Sequence, residues 1–166
     1  MHKMPLFGRG SQITPDEAIH LVTLSHKIKH QSIVNQCADE HILSGDEQQL
    51  IQVFVNLINN ASDASVNEET ITISSVNDQD KIIIEVVDQG KGISDADKKQ
   101  LFEPFFTTKE AGEGMGLGLS IVYNIIHDHG GDIKVVDNIN NHHNRGSRFI
   151  ISLSVCELTK QSSREH

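Results

Sequence analysis

The sequence predicts a two-layer α/β (α+β) sandwich, with a mixed, mainly antiparallel sheet of about five strands covered on one face by about three helices. Three observations carry that expectation. Helix-like and strand-like stretches alternate in the order helix, strands, helix, hairpin, loop, helix, hairpin. Between Gly45-Asp46 and Ala64, Leu50, Val53, Phe54, Leu57, Ile58 and Ala61 recur at steps of three and four, which draws one apolar face on a helix. Two further stretches each hold a pair of alternating segments joined by polar turn residues, the pattern of a hairpin.

Taken in order, residues 1–13, with Gly8-Arg9-Gly10-Ser11-Gln12, read as a linker or the frayed end of an upstream element. Thr14-Pro15-Asp16-Glu17 starts a helix: a capping Thr, Pro at the first helical position and acids in the first turn. Ile19, Val22 and Ile28 carry it to about residue 29. A strand is expected over 32–38 and a short extended piece near 41–43, before the second helix opens at Gly45-Asp46. Segments 69–76 and 81–88 pair through Asn77-Asp78-Gln79-Asp80. A short helix near 96–101 precedes a glycine-rich loop, and a third main helix over 117–128 stops at Gly130-Gly131. A closing hairpin takes 132–137 and 148–155, so the domain runs 14–156 with a loose polar tail over 157–166.

Bulk properties bound the function. The 166 residues suffice for one domain with a real core, and the hydrophobic fraction of 37% is ordinary for a globular chain. Aromatics are only 4%, with no Trp, so aliphatic side chains must build that core. Lys plus Arg number 14 against 23 acids, and a net charge of −9 without a basic stripe argues against nucleic acid. Cys37 and Cys156 lie far apart, outside any Cys-x-x-Cys pair, and read as small buried hydrophobes. The ten histidines show no metal-binding pattern: His26 and His30 lack a carboxylate between them, His127 and His129 face different ways, and His142-His143 sit in a polar run. No apolar run approaches the ~20 residues of a membrane span, and no signal peptide is apparent.

The chemistry concentrates between residues 56 and 120. Asn56 and Asn60 share a helix face, with Asp63 on the same side. Such a polar strip is either a solvated side or a ligand-facing one, and an amide oxygen suits magnesium. In 81–88, Ile82, Ile84, Val86 and Asp88 share one strand face, so a carboxylate ends an apolar row. It either closes an Asp-x-Gly turn or accepts from a specific donor. Gly90 and Gly92 let the turn pass beneath a flat ring, followed by Ile93. Phe102-Glu103-Pro104-Phe105-Phe106 suggests a hydrophobic latch at one end of a lid, with Thr107, Thr108 and Lys109 in reach of a phosphate. Gly112, Gly114, Gly116 and Gly118 alternate just before a helix, where free amides and the positive helix end meet an anion. It is not a P-loop, because Gly-x-x-x-x-Gly-Lys-Ser/Thr is absent, nor the dinucleotide fingerprint, because Leu117 stands where a third glycine should fall.

Leu-Ile-Asn-Asn-Ala-Ser-Asp-Ala (57–64), Asp-Gln-Gly-Lys-Gly-Ile (88–93), Phe-Glu-Pro-Phe-Phe-Thr-Thr-Lys (102–109), the glycine cluster to Leu119 and Gly-Ser-Arg-Phe (146–149) stand in one order. In that order they resemble the ATP-binding catalytic domain of sensor histidine kinases, members of the GHKL superfamily with the Bergerat-type fold. The wording of the motifs is similar to the nitrogen- and dicarboxylate-sensing subgroup. The resemblance implies ATP and Mg2+ as cofactors, and transfer of the γ-phosphate to a histidine on a helical dimerisation domain, then to a response regulator. It gives Asn60 and Lys109 catalytic roles, Asn60 as the metal ligand. Nucleotide contacts then fall on Asn56, Asn60, Asp63, Ala64, Asp88 (to the adenine amine), Gly90, Gly92, Ile93, Phe102 and Lys109. The same mapping adds Gly114, Met115, Gly116, Leu117, Gly118 and Leu119, and Ser147 behind the adenine. It implies a cytoplasmic module without membrane contact of its own, in a parent protein that can be anchored in the inner membrane.

The departure is an absence. No His-acid-Pro acceptor block precedes Asn60, and Ser25-His26-Lys27-Ile28-Lys29-His30 lacks both acid and Pro. The chain reads as a catalytic module without its substrate histidine, expected to be a monomer. Hydrolytic ATPases of the superfamily place a glutamate one turn before the metal Asn; here Asn56 occupies that position and is no base. The motifs would also suit a protein-serine kinase of the superfamily or a non-catalytic nucleotide-sensing module. Labelling of a histidine domain separates a histidine kinase module from both.

Overall fold

A computed structural model describes residues 11–25, 31–38, 43–66, 68–111, 115–139 and 146–154. Helix α1 (Pro15–Ser25) begins with a capping box, in which Glu17 N–H donates to Thr14 Oγ1 at 3.1 Å and Thr14 N–H donates to Glu17 Oε2 at 2.9 Å. Strand β1 (Ser11–Ile13) precedes it and pairs antiparallel with β3 (Leu43–Gly45). The sequence placed a linker over this segment. Buried Ile13 and Leu43 explain the difference, since each brings one core side chain to the ribbon.

Helix α2 (Glu47–Ala64) is capped by Asp46, whose carboxylate accepts from Gln49 N–H at 3.0 Å. Its buried face is the one the spacing drew: Leu50, Val53, Phe54, Leu57, Ile58 and Ala61. Beneath it lies a five-stranded sheet in the order β2-β4-β5-β7-β6. The strands are β2 (Ser32–Gln36), β4 (Thr70–Asp78), β5 (Lys81–Val87), β6 (Asp132–Asp137) and β7 (Ser147–Ser154). Only β2 against β4 is parallel; the other three pairings are antiparallel. Inward positions alternate as a half-buried sheet requires, with Ile71, Ile73, Ile82, Ile84, Val86, Phe149, Ile151 and Leu153 all buried.

Helix α4 (Gly118–Asp128) completes the helical layer with Val122, Ile125 and Ile126 in the core, and a short α3 (Asp95–Lys98) is capped by Ser94. His129 ties the far ends of two helices together. Its Nε2 accepts from Asp46 N–H at 3.1 Å, and its Nδ1 lies 2.7 Å from Ile125 O. That contact anchors α4 against the start of α2, so the opposite ends of both helices frame the loop side.

Cys37 is half-buried against the core, and its burial pushes the thiol up; Cys156 lies outside the described residues. So do His26, His30, His142 and His143, whereas His127 stacks on Tyr123 with ring centroids 6.1 Å apart. No helix among the described residues is long and apolar enough to cross a membrane.

Candidate nucleotide site

The site opens where α2 ends, β5 and β7 turn, and α4 begins. Asp88 follows β5 directly and keeps the inward phase of Ile82, Ile84 and Val86, which is why it is only 2% exposed. A buried carboxylate must be hydrogen-bonded, and this one is. Oδ1 accepts from Gly90 N–H at 2.9 Å and Ser147 N–H at 3.2 Å; Oδ2 accepts the Ser147 hydroxyl at 2.5 Å. Burial pushes the Asp88 carboxyl above its ordinary range, opposed by the Ser147 hydroxyl and the Gly90 and Ser147 amides. Behind it, the buried Asn138 amide donates to Asp88 O at 2.9 Å.

The turn after Asp88 runs against the end of α2. Lys91 N–H donates to Ala64 O at 3.2 Å, and a Cβ on Gly90 would lie 2.1 Å from that same oxygen. Only glycine allows the turn to pack so closely. In front of these elements is a cavity of about 810 Å3, within the usual range of small-molecule sites. Asn56, Asn60 and Asp63 face it from α2, Asp88 and Ser147 from the sheet, and Gly92 and Ile93 from the turn. The loop adds Phe106, Thr107, Thr108 and Lys109, and the α4 entry adds residues 115–119.

The electrostatics differ along this cavity. At the α4 end, Leu117 holds the N-cap position and residues 117–119 line the cavity, so the positive helix end borders it. Asn56 Nδ2 donates to Gly118 O at 3.1 Å while its Oδ1 accepts from Gln52 at 2.7 Å. Asn60, one turn on, has its Nδ2 buried without a partner among the described residues. Lys109 Nζ reaches Asp63 Oδ2 at 2.5 Å, and its own N–H donates to Thr107 Oγ1 at 3.1 Å. The loop is rooted where Gly116, at φ +69, passes 2.6 Å (measured from an added Cβ) from Phe106 O.

Residues 45–157 match the family described as histidine kinase-, DNA gyrase B-, and HSP90-like ATPase. The chain belongs to that family. Within it, the chain is similar to the ATP-binding catalytic domain of sensor histidine kinases. It is 40% identical to sporulation kinase A of Bacillus subtilis over 69% of this chain, and 45% identical to the sensor histidine kinase ZraS of Salmonella typhi over 56%. It spans only 18% and 20% of the lengths of those two relatives. Among solved structures, the catalytic domain of histidine kinase ThkA superposes with a TM-score of 0.76 at 30% identity, covering 89% of this chain and 97% of that one. The mycobacterial sensor histidine kinase MprB gives a TM-score of 0.79 at 21% identity over 87% and 98%, a likeness of fold.

For this histidine-kinase-type domain, most residues singled out in the sequence gather around one cavity, with some exceptions. Phe102 does not line it: its ring packs on Tyr123 at 5.6 Å between centroids. Gly90 is buried behind it against Ala64, and Gly114 lies outside the described residues. Two of the three rings of the expected latch reach the core. Phe102 and Phe106 both pack against the core, Phe102 also touching Tyr123 of α4, while Phe105 is 73% exposed. Lys91, Asp97 and Leu101 also line the cavity, and sequence reasoning missed them. Only Lys91 carried a signal, as a cation set between the two glycines of Asp-Gln-Gly-Lys-Gly-Ile.

Proposed function

We propose that this chain binds ATP with magnesium in the cavity between α2, the sheet end and the glycine loop, and passes the γ-phosphate to a histidine on a separate helical dimerisation domain. A response regulator would receive the phosphoryl group next. The observation that carries the reading is Asp88: a buried carboxylate at the inner wall of a cavity, fixed by three donors and suited to the exocyclic amine of adenine. Guanine offers a carbonyl at that position, so the same carboxylate selects against it.

Ser147 and Gly90 hold the Asp88 carboxylate in place, and the amides at the start of α4 face the phosphates. The Asn60 amide fits a metal site: its oxygen is a hard ligand of the kind magnesium takes, and its buried Nδ2, without a partner among the described residues, is free to donate to a phosphate oxygen. Among the described residues no group of three His, Cys, Asp or Glu gathers round one point, so phosphates and water would supply the remaining ligands. Magnesium would neutralise phosphate charge, with Lys109 adding a second cation from the loop. The nitrogen- and dicarboxylate-sensor assignment rests on motif wording alone. ThkA, similar in fold and sequence, has been solved together with the response regulator protein TrrA, which supports two-component signalling for this chain too.

The test is calorimetric titration with ADP and a non-hydrolysable ATP analogue, with and without magnesium, against GTP. Adenine-selective, magnesium-enhanced binding is expected. The chain should then label a cognate histidine-bearing domain with an acid-labile, base-stable phosphate. Equal affinity for GTP, or labelling that survives acid, would overturn the reading.

A further inference from the structure

The acid on the phosphate side of the cavity is the least expected of its groups. Asp63 faces a site built to receive an anion, and a lone carboxylate there would repel the ligand. It is not alone. Asp63 and Lys109 lie 46 residues apart in sequence, yet Oδ2 and Nζ meet at 2.5 Å across the gap between α2 and the loop. The side chains are 38% and 32% exposed, so neither is locked by packing and the pair itself sets where the ammonium sits. Thr107 Oγ1 accepts the Lys109 amide, and the backbone at Gly116 packs closely against Phe105 and Phe106 at the base of the loop. Asp63 also sits three residues beyond Asn60 on the same helix face, which places the lysine about one turn from the metal candidate.

We infer that Asp63 is a positioning residue: its carboxylate holds the Lys109 ammonium over the cavity so that a free donor of that ammonium meets the terminal phosphate of a nucleoside triphosphate. An ammonium carries three donors, so it bridges a carboxylate and a phosphate at once. Lysine has several rotatable bonds to freeze, and freezing them before the ligand arrives raises affinity for whatever touches the amine. The diphosphate, which lacks the terminal group, gains nothing from this. The inference rests on the nucleotide-binding reading and adds to it a device for choosing triphosphate over diphosphate.

The experiment measures one ratio, the affinity for adenosine 5′-(β,γ-imido)triphosphate over that for ADP, by calorimetry in magnesium. It is taken on the whole chain and on Asp63→Ala, Asp63→Glu, Lys109→Ala and the Asp63→Ala/Lys109→Ala double variant. The expected ratio falls about tenfold in Lys109→Ala, the scale of a hydrogen bond to a charged group at a half-exposed site. It falls about fivefold in Asp63→Ala, the cost of ordering one long side chain. Asp63→Glu should recover most of that loss, and the double variant should fall no further than Lys109→Ala. A merely structural Asp63 would change both affinities together and add to the lysine variant. A ratio that rises in Asp63→Ala would make Asp63 a competitor of the phosphate and overturn the inference, as would an unchanged ratio. If the parent chain binds neither nucleotide, the nucleotide reading itself has failed, and the inference falls with it.

Discussion

The Asp88 carboxylate and the Ser147 hydroxyl meet at 2.5 Å, where β5 gives way to its turn opposite the first residue of β7. Asp88 N–H donates to Ser147 O at 3.0 Å, so backbone and side chain close the same pair of strands. In Asp88→Asn, Oδ1 can still accept from Gly90 and Ser147, and Nδ2 can donate to the Ser147 hydroxyl once that hydroxyl rotates. The fold should survive while the adenine amine meets a donor instead of an acceptor. We expect ADP binding to weaken by about 2–3 kcal/mol with a near-parental melting curve. Calorimetry beside circular dichroism checks both; parental affinity would remove Asp88 from the base site.

Burial holds the Asp88 carboxyl above its ordinary range, so between its unfolded and folded values the native state carries the extra proton. Stability from this group therefore rises as pH falls into that window and is lost as pH climbs through it. Urea midpoints of the parent should gain on those of Asp88→Asn from neutral pH down toward the ordinary carboxylate value near 4. ADP affinity should move the opposite way, because a protonated carboxyl accepts poorly. A constant difference between the two proteins would contradict the upward shift.

What the sequence made legible follows from local periodicity. The apolar face of α2, both hairpins and the inward phase of Asp88 each depend on spacing within one element, and spacing is written in the chain. Strand β1 was missed because three residues are too few to show a period; their partner lies about thirty positions on. The pairing of Asp63 with Lys109 depends on where the loop lands on α2, which no local pattern records. Phe102, Phe105 and Phe106 are close in sequence, yet Phe102 and Phe106 pack against the core while Phe105 faces solvent. Aromatic content announced a latch without saying which ring closes it.

The contact of the turn with α2 leaves no room for a methyl group. In Gly90→Ala the new Cβ would meet Ala64 O, a backbone atom that cannot swing aside. We expect a loss of about 3 kcal/mol of stability, and weaker ADP binding as the Asp88 turn lifts from the helix. Chemical denaturation of the pair of proteins reads the first effect directly; a loss below about 1 kcal/mol would mean that the turn repacks freely.

Asn56 is the residue one turn before Asn60, and its amide is spent on Gly118 O and Gln52. An amide takes no proton from water, so the isolated chain should release negligible phosphate from ATP with magnesium. Coupled phosphate-release assays measure this, and fast turnover would return the chain to the hydrolytic branch of its family. Asn56→Ala should cost about 1 kcal/mol of stability through the lost tie to α4.

Asn60→Asp probes the metal. The buried Nδ2 has no partner among the described residues, so replacing it with an oxygen removes an unsatisfied donor and adds a charge beside Asp63. Without magnesium that charge repels the phosphates; with magnesium it becomes a stronger ligand than the amide. The gap between nucleotide affinity with and without magnesium should therefore widen by roughly tenfold, the effect of one added charge in partly solvated surroundings. Titrations at matched ionic strength separate this from general screening. An unchanged gap would show that the metal sits elsewhere, because a unit charge within reach of a divalent ion cannot leave its binding unaltered.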